Sequence, residues 1–315
     1  MRGAQAKSLT LHLGLIALLF ALQFVLPAYH HGNLARIMVM ATFAMGYNLM
    51  FGYTGLLSLG HAMFFAAGMY GMGLSVQFLG LSAGPGFLAG VAAAFTLSLA
   101  VALLALRTSG VAFMIVTLMF AQALYLAILH FAPWTRGDEG FVIPRAARVF
   151  LGLDLADPTI RYGAALTLFA LVMLAMLRLV HAREGRVLVA IRENEPRAEM
   201  LGYDTWRHKL FAVTASGTIS GAAGAAYGLL FGYVGASFAQ VPYSIFPLLW
   251  VLLGGAGTLI GPLIGTLFMF YLIDIASGMT DAYMLVVGVA LLLLTLFAPR
   301  GIMGVIRERW VRWLP

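Results

Sequence analysis

The sequence predicts an all-α fold: a polytopic transmembrane helical bundle of about 8–10 spans with broken or re-entrant segments, both termini on the inner side. Three observations carry this. Apolar residues make up 62% of the 315 positions and charged residues only 10%, whereas a soluble domain carries about a quarter. The apolar runs are continuous rather than alternating, which excludes a membrane β-barrel. Long polar stretches are confined to residues 133–161 and 183–209.

The chain starts with Arg2 and Lys7 ahead of an apolar run from Leu9 to Leu26, which resembles a signal peptide. The run is long, and Pro27-Ala28-Tyr29-His30 offers no small-residue cleavage site, so residues 9–28 read as a retained first span. Further spans are expected at 35–51, 56–79, 86–106, 110–132, 162–180, 209–233, 243–257, 259–276 and 282–298. A crossing helix needs ~20 residues. The pair 243–257 and 259–276 is short and contains Gly254-Gly255 and Gly261-Pro262, so these two read as half-helices or re-entrant segments.

Sidedness follows from charge. With ten spans, fourteen of the 19 Lys and Arg residues fall on the side of the N-terminus, and Arg36, Arg136, Arg145, Arg148 and Arg161 fall on the other. Basic residues accumulate on the cytoplasmic side, so N-in, C-in is expected, and an eight-span model with two re-entrant hairpins keeps it. The net charge of +7 then needs no nucleic acid. Arg300, Arg307, Arg309 and Arg312, with Trp310 and Trp313, read as an inner interfacial anchor. Segment 133–161 reads as a periplasmic loop with a short interfacial helix. There is no cysteine, and no cofactor or metal site is expected.

Residues 52–60 read GYTGLLSLG and residues 254–261 read GGAGTLIG. Glycine-interrupted segments at corresponding places in two halves can mark a transport pathway; glycines also let membrane helices pack closely. Tyr53, Thr54, Ser58, His61 and Thr258 are therefore candidate pathway residues. The plainer alternative is that their hydroxyls bond locally and that His61 is a buried histidine bonded to a nearby backbone carbonyl. Asn48 and Gln122 are polar mid-span residues with the same two readings.

In Arg183–Lys209, Val187, Leu188 and Ile191 fall on one helical face, with Met200 and Leu201 later. Pro196 suits the first turn of a second helix, and Gly202 suits its end. Two short helices with an elbow near Asn194-Glu195-Pro196 are predicted, with Arg186, Arg192, Glu193, Glu195, Arg197 and Glu199 lining the exposed surface. A helix lying on anionic lipid would be mostly basic. Here Glu184, Glu193, Glu195 and Glu199 nearly match the bases, which favours docking to a soluble protein.

No G-x-x-x-x-G-K-[ST] loop is present, so any ATPase that drives this chain is another polypeptide. Asp274 and Asp281 sit near outer helix ends, and no Lys, Arg or Glu lies clearly mid-span. That counts against the alternative of a stand-alone secondary carrier of a small solute. No metal- or phosphate-binding constellation suggests an enzyme.

The residues resemble the permease subunits of bacterial branched-chain amino acid ABC importers, specifically the LivM-type member. The matching pieces are YNLMFGYTGLLSLGHAMFFAAGMY (47–70), VAFMIVTLMFAQAL (111–124), the block from Gly185 to Gly228 with AIRENE, LGYD and KLFAV, VLLGGAGTLIGPLIGT (251–266) and FAPRGIMG (297–304). The resemblance implies a single transmembrane permease domain over 1–315, multi-pass in the bacterial inner membrane. It implies a homologous second permease, two cytoplasmic ATPases and a periplasmic solute-binding protein as partners. Segment 183–209 would be the cytoplasmic coupling segment; Arg192, Glu193, Asn194 and Glu195 carry over by matching position, and Arg186, Ile191 and Arg197 beside them complete the expected ATPase-coupling residues. The solute would be a branched-chain amino acid or a related small polar molecule such as urea, an amide or an organic acid. One departure stands out: the family's outer loop often reads T-G-G, and here it is Thr135-Arg136-Gly137-Asp138-Glu139-Gly140.

Overall fold

Every predicted span overlaps a helix. The computed structural model describes residues 2–297 and 300–309, so Trp310, Arg312 and Trp313 of the predicted anchor, and the last residue of the predicted span 282–298, lie outside the described residues. The helices are α1 (Arg2–Leu22), α2 (Ala28–Asn48), α3 (Ala62–Leu79), α4 (Ala83–Ala105), α5 (Gly110–His130), α6 (Ala132–Thr135), α7 (Pro158–His181), α8 (Arg183–Glu193), α9 (Glu195–Met200), α10 (Thr205–Phe231), α11 (Val241–Gly254), α12 (Gly261–Met279), α13 (Tyr283–Phe297) and α14 (Gly301–Arg309). Among the described residues six are long and apolar enough to cross a membrane: α2 with its extension to Tyr53, α3, α4, α5, α7 and α12. Helix α12 is therefore longer than the sequence reading of its segment. Helix α11, at 14 residues, rises only ~21 Å against ~30 Å of hydrocarbon.

At the centre stand α2 and α10. All of α2 from Leu34 to Met50 is buried except Arg36. Helix α10 is rich in Ser, Gly and Ala, and these small residues let backbones approach. A Cβ on Gly68 of α3 would stand 1.9 Å from the Gly221 carbonyl oxygen, and one on Gly224 would stand 1.9 Å from that of Phe65. Helices α4 and α5 present Leu88, Phe95, Leu103, Val111, Ile115, Met119 and Leu126 outward, as lipid-facing helices do.

Two ends can be named from the connections. The elbow end carries α8 and α9. The loop end carries residues 131–157, where the predicted interfacial helix is the single turn α6 plus a 3-10 turn at Arg145–Arg148. Strand β1 (Phe141–Val142) pairs antiparallel with β4 (Tyr233–Val234), and β2 (Val149–Phe150) pairs with β3 (Leu153–Asp154). Arg145 and Asp154 form an ion pair at 2.6 Å. Asp157 caps α7 by accepting from the Thr159 and Ile160 amides, which satisfies amides that the helix itself leaves free.

Candidate functional site

Both glycine motifs break helices, and the breaks lie against one another. Helix α2 loosens into a π-helical turn, Leu49–Tyr53; such turns often mark functional sites. The chain then runs without regular structure to His61, and α3 begins at Ala62, so residues 56–61 of the predicted span 56–79 are not helical. The second break, residues 255–260, separates α11 from α12. Asn48 joins them. Its carboxamide donates to the Thr258 carbonyl at 2.9 Å and accepts from the Gly257 amide at 2.9 Å, as a neighbouring strand would. The approach is close: a Cβ on Gly52 would stand 2.5 Å from the Gly257 nitrogen.

Amides freed by the first break meet hydroxyls. Ala62 N–H donates to Ser244 Oγ at 2.9 Å, Gly60 N–H to Ser58 Oγ at 3.2 Å and Leu59 N–H to Thr117 Oγ1 at 3.3 Å. An orphaned buried amide is costly, and here three serine and threonine side chains remove that cost. The candidate threonines are also committed to the protein's own backbone. Thr54 donates to the Leu49 carbonyl at 2.9 Å and Thr258 to the Gly255 carbonyl at 2.7 Å.

His61 is fully buried, ringed by Phe43, Tyr47 and Phe64. Its partner is not a backbone carbonyl. Nε2 lies 2.8 Å from Ser220 Oγ of α10. Ser216 Oγ lies 3.3 Å from the same nitrogen, and the Ser216 and Ser220 hydroxyls also reach the Gly46 and Ser216 carbonyls, at 2.5 and 2.9 Å. Nδ1 is buried with no partner. The Tyr53 hydroxyl, also buried, has no partner either.

The elbow forms as the sequence indicates. Asn194 is extended between α8 and α9, and its side chain caps α9 by accepting from the Arg197 amide at 3.0 Å. Gly185 lets α8 turn tightly off α7, since a Cβ there would stand 2.4 Å from the Leu179 carbonyl oxygen. Val187, Ile191 and Ala198 pack together with Tyr203. Leu188 enters the cluster of Leu49, Tyr53 and Leu259, so the elbow touches residues of both breaks.

The residues singled out on this segment divide. Ile191 is in the spine, not on the surface. Arg192 is exposed as a residue, yet its guanidinium turns inward and donates to the Gly52 carbonyl in the π-helical turn. Glu195 pairs with Lys209 of α10. Arg186 donates to the His181 carbonyl at 3.1 Å. Glu193, Arg197 and Glu199 face outward, and between them the tip of α9 exposes Met200 at 80% and Leu201 at 69%. The sequence reading missed a further arginine: Arg307 of α14, expected at the membrane interface, donates to the Gly257 carbonyl at 3.5 Å. Nothing in the residues around Arg307 signals that contact.

The model of the family described as "Branched-chain amino acid transport system / permease component" matches residues 31–296. The chain belongs to that family. This permease is thus a transport protein rather than an enzyme, and a multi-pass inner-membrane protein. It is 29% identical over 303 residues to the high-affinity branched-chain amino acid transport system permease protein LivM of Escherichia coli K12, covering 86% of this chain and 69% of that protein. LivM of Salmonella typhimurium is 27% identical over 339 residues, covering 98% and 77%. The high-affinity branched-chain amino acid transport system permease protein LivH of Salmonella typhimurium is 24% identical over 293 residues, covering 84% and 91%. No solved structure matches the chain.

Proposed function

We propose that this permease is one half of the membrane pathway of an ATP-driven importer of branched-chain amino acids or a related small polar solute. Separate ATPase subunits drive it, a homologous permease completes it and an outer solute-binding protein loads it. The elbow end faces the cytoplasm and residues 133–161 face outward. In this reading α8 and α9 are the docking element, and Glu193, Arg197 and Glu199 surround the contact.

One observation carries the reading. The tip of α9 exposes two large apolar side chains, Met200 and Leu201, on a segment fastened to the helix breaks by Arg192 on Gly52 and by Leu188. An apolar knob ringed by mixed charge fits a groove on a protein partner. A displacement imposed on the knob reaches the breaks through those contacts. Alternating access follows when the breaks repack and open the bundle on one side or the other. The buried hydroxyls of Thr54, Ser58 and Thr258 then hold the breaks rather than touch the solute.

The test is co-purification of the tagged chain from its own membranes in mild detergent. Wild type should bring down a P-loop ATPase and a second permease. The Met200→Asp, Leu201→Asp variant should keep the second permease and its insertion, lose the ATPase and lose uptake. An ATPase that remains bound to that variant, with uptake intact, rules the docking element out.

A further inference from the structure

At the loop end, two arginines from different helices converge on one ring. Arg36 of α2 lies 5.1 Å from the Phe231 centroid and Arg161 of α7 lies 5.7 Å from it. Phe231 continues into an aromatic group: Tyr227 is 4.7 Å from it, Phe238 is 5.0 Å from Tyr227, and Tyr243 is 4.9 Å from Phe238, centroid to centroid. Arg36 is exposed although its helix is otherwise buried from Leu34 to Met50. Among the described residues no carboxylate lies within 4.0 Å of Arg36 or Arg161; the described ion pairs are elsewhere.

The neighbouring polar groups are already occupied. Arg148 donates to the Leu229 and Leu230 carbonyls and so closes the C-terminus of α10. Asp157, within electrostatic reach of Arg161, is committed to capping α7. Arg161 donates to the Ala156 carbonyl at 2.7 Å, while its Nε–H is buried without a partner. Arg36 has cation–π contact with Phe231 and no hydrogen bond among the described residues. The two guanidiniums act on one another electrostatically and neither is in an ion pair among the described residues, so an anion that contacts both is favoured. Guanidinium recognises carboxylate through paired N–H donors.

We propose that Arg36 and Arg161, over the aromatic floor of Phe231, Tyr227 and Tyr243, form a receiving site for the carboxylate of a solute with an aliphatic side chain. The arginines take the carboxylate and the rings take the hydrocarbon. The importer reading above supplies the role, which is to receive solute at the outer mouth, but binding itself does not depend on it. An ammonium group contributes nothing beside two cations, so the site distinguishes solutes by their carboxylate.

The experiment uses the full chain in lipid nanodiscs and phenylglyoxal, which modifies arginine. Mass spectrometry follows the rate at Arg36, with exposed Arg136 as the control. The probes are 4-methylpentanoate, L-leucine and 4-methylpentanamide, the last differing from the first only in its charged group. The two carboxylates should slow modification of Arg36 several-fold and leave Arg136 unchanged, and the amide should do neither. Equal protection by the amide overturns the proposal, as does protection by none of them, or equal slowing at Arg136. In cells carrying the whole transporter, Arg36→Gln should reduce leucine uptake several-fold and Arg36→Lys should restore part of it. Wild-type cells that take up no leucine count against the importer reading. The modification rates still decide the carboxylate site.

Discussion

Asn48 and Thr258 lie 210 positions apart, and the Asn48 carboxamide donates to the Thr258 carbonyl while accepting from the adjacent Gly257 amide. One buried side chain thereby substitutes for a strand partner and ties the two helix breaks. Asn48→Ala orphans a buried carbonyl and a buried amide, each costing about 1–3 kcal/mol. The melting temperature of the purified chain should fall by several degrees. Asn48→Asp keeps the acceptor and loses the donor, and it also buries an acid, so it should be no better than alanine. An unchanged melting temperature in both would show that the breaks are held elsewhere.

Gly68 and Gly163 separate packing glycines from incidental ones. A Cβ on Gly68 would strike the Gly221 carbonyl, whereas one on Gly163 meets nothing within 4 Å. Gly68→Ala should force α3 and α10 apart and sharply reduce the folded yield. Gly163→Ala, at a half-buried helix position with open space beside it, should be neutral or stabilising by up to about 1 kcal/mol. Fluorescence-detected size exclusion of the two variants reads the contrast directly, and similar profiles would mean that the close approach of α3 and α10 is not needed.

What the sequence shows here depends on the range of the cause. The spans were legible because lipid selects continuous apolar runs. The elbow was legible because Asn194, Pro196 and Gly202 act on their own neighbours. The start of α3 was misread because Leu56, Leu57 and Leu59 make an irregular segment as apolar as a span. The inward turn of Arg192 was illegible for another reason. Its acceptor is a backbone carbonyl, and any residue at position 52 would supply one. The mutual contact of the two glycine motifs was hinted at by their likeness, but the side chain that joins them lies outside both.

Arg136 sits at φ 62, ψ 13, in the left-handed region that favours glycine. A non-glycine residue there costs about 1–2 kcal/mol, partly offset because glycine would give the unfolded chain more conformational entropy to lose on folding. Arg136→Gly should therefore stabilise the chain slightly, by about 0.5–1 kcal/mol. If thermal unfolding shows a loss instead, the arginine side chain makes a favourable contact that outweighs its backbone strain.

The Asp154 carboxyl is held below the usual carboxylate range by the Ala156 amide, which donates to it at 2.8 Å, and by the Arg145 guanidinium. A lowered folded-state value means that the ionised form favours the folded loop. That contribution is complete above the ordinary aspartate value of about 4 and is lost as pH falls through the lowered value. Hydrogen exchange at the Ala156 amide should accelerate on acidification below about pH 4, beyond the intrinsic trend. Asp154→Asn should exchange faster at neutral pH and lose that extra dependence. Identical profiles would detach the β2–β3 hairpin from this carboxylate.

Arg192 and Glu193 are adjacent in sequence and opposite in role. Arg192 reaches into the permease and donates to the Gly52 carbonyl, whereas Glu193 is exposed on α8. Arg192→Gln removes a partly buried charged hydrogen bond, worth about 1.5–3 kcal/mol, and should lower the melting temperature of the chain purified without other subunits. Glu193→Arg touches no internal contact and should leave that melting temperature unchanged. If α8 and α9 seat an ATPase, Glu193→Arg should still reduce uptake per ATP hydrolysed in the assembled transporter. The pairing matters, because reversing both charges at once confounds a lost internal bond with a lost docking contact. Equal melting temperatures for both variants and wild type would mean that Arg192 does not hold the π-helical turn. Unaltered uptake in Glu193→Arg would move the docking contact to the apolar tip at Met200 and Leu201.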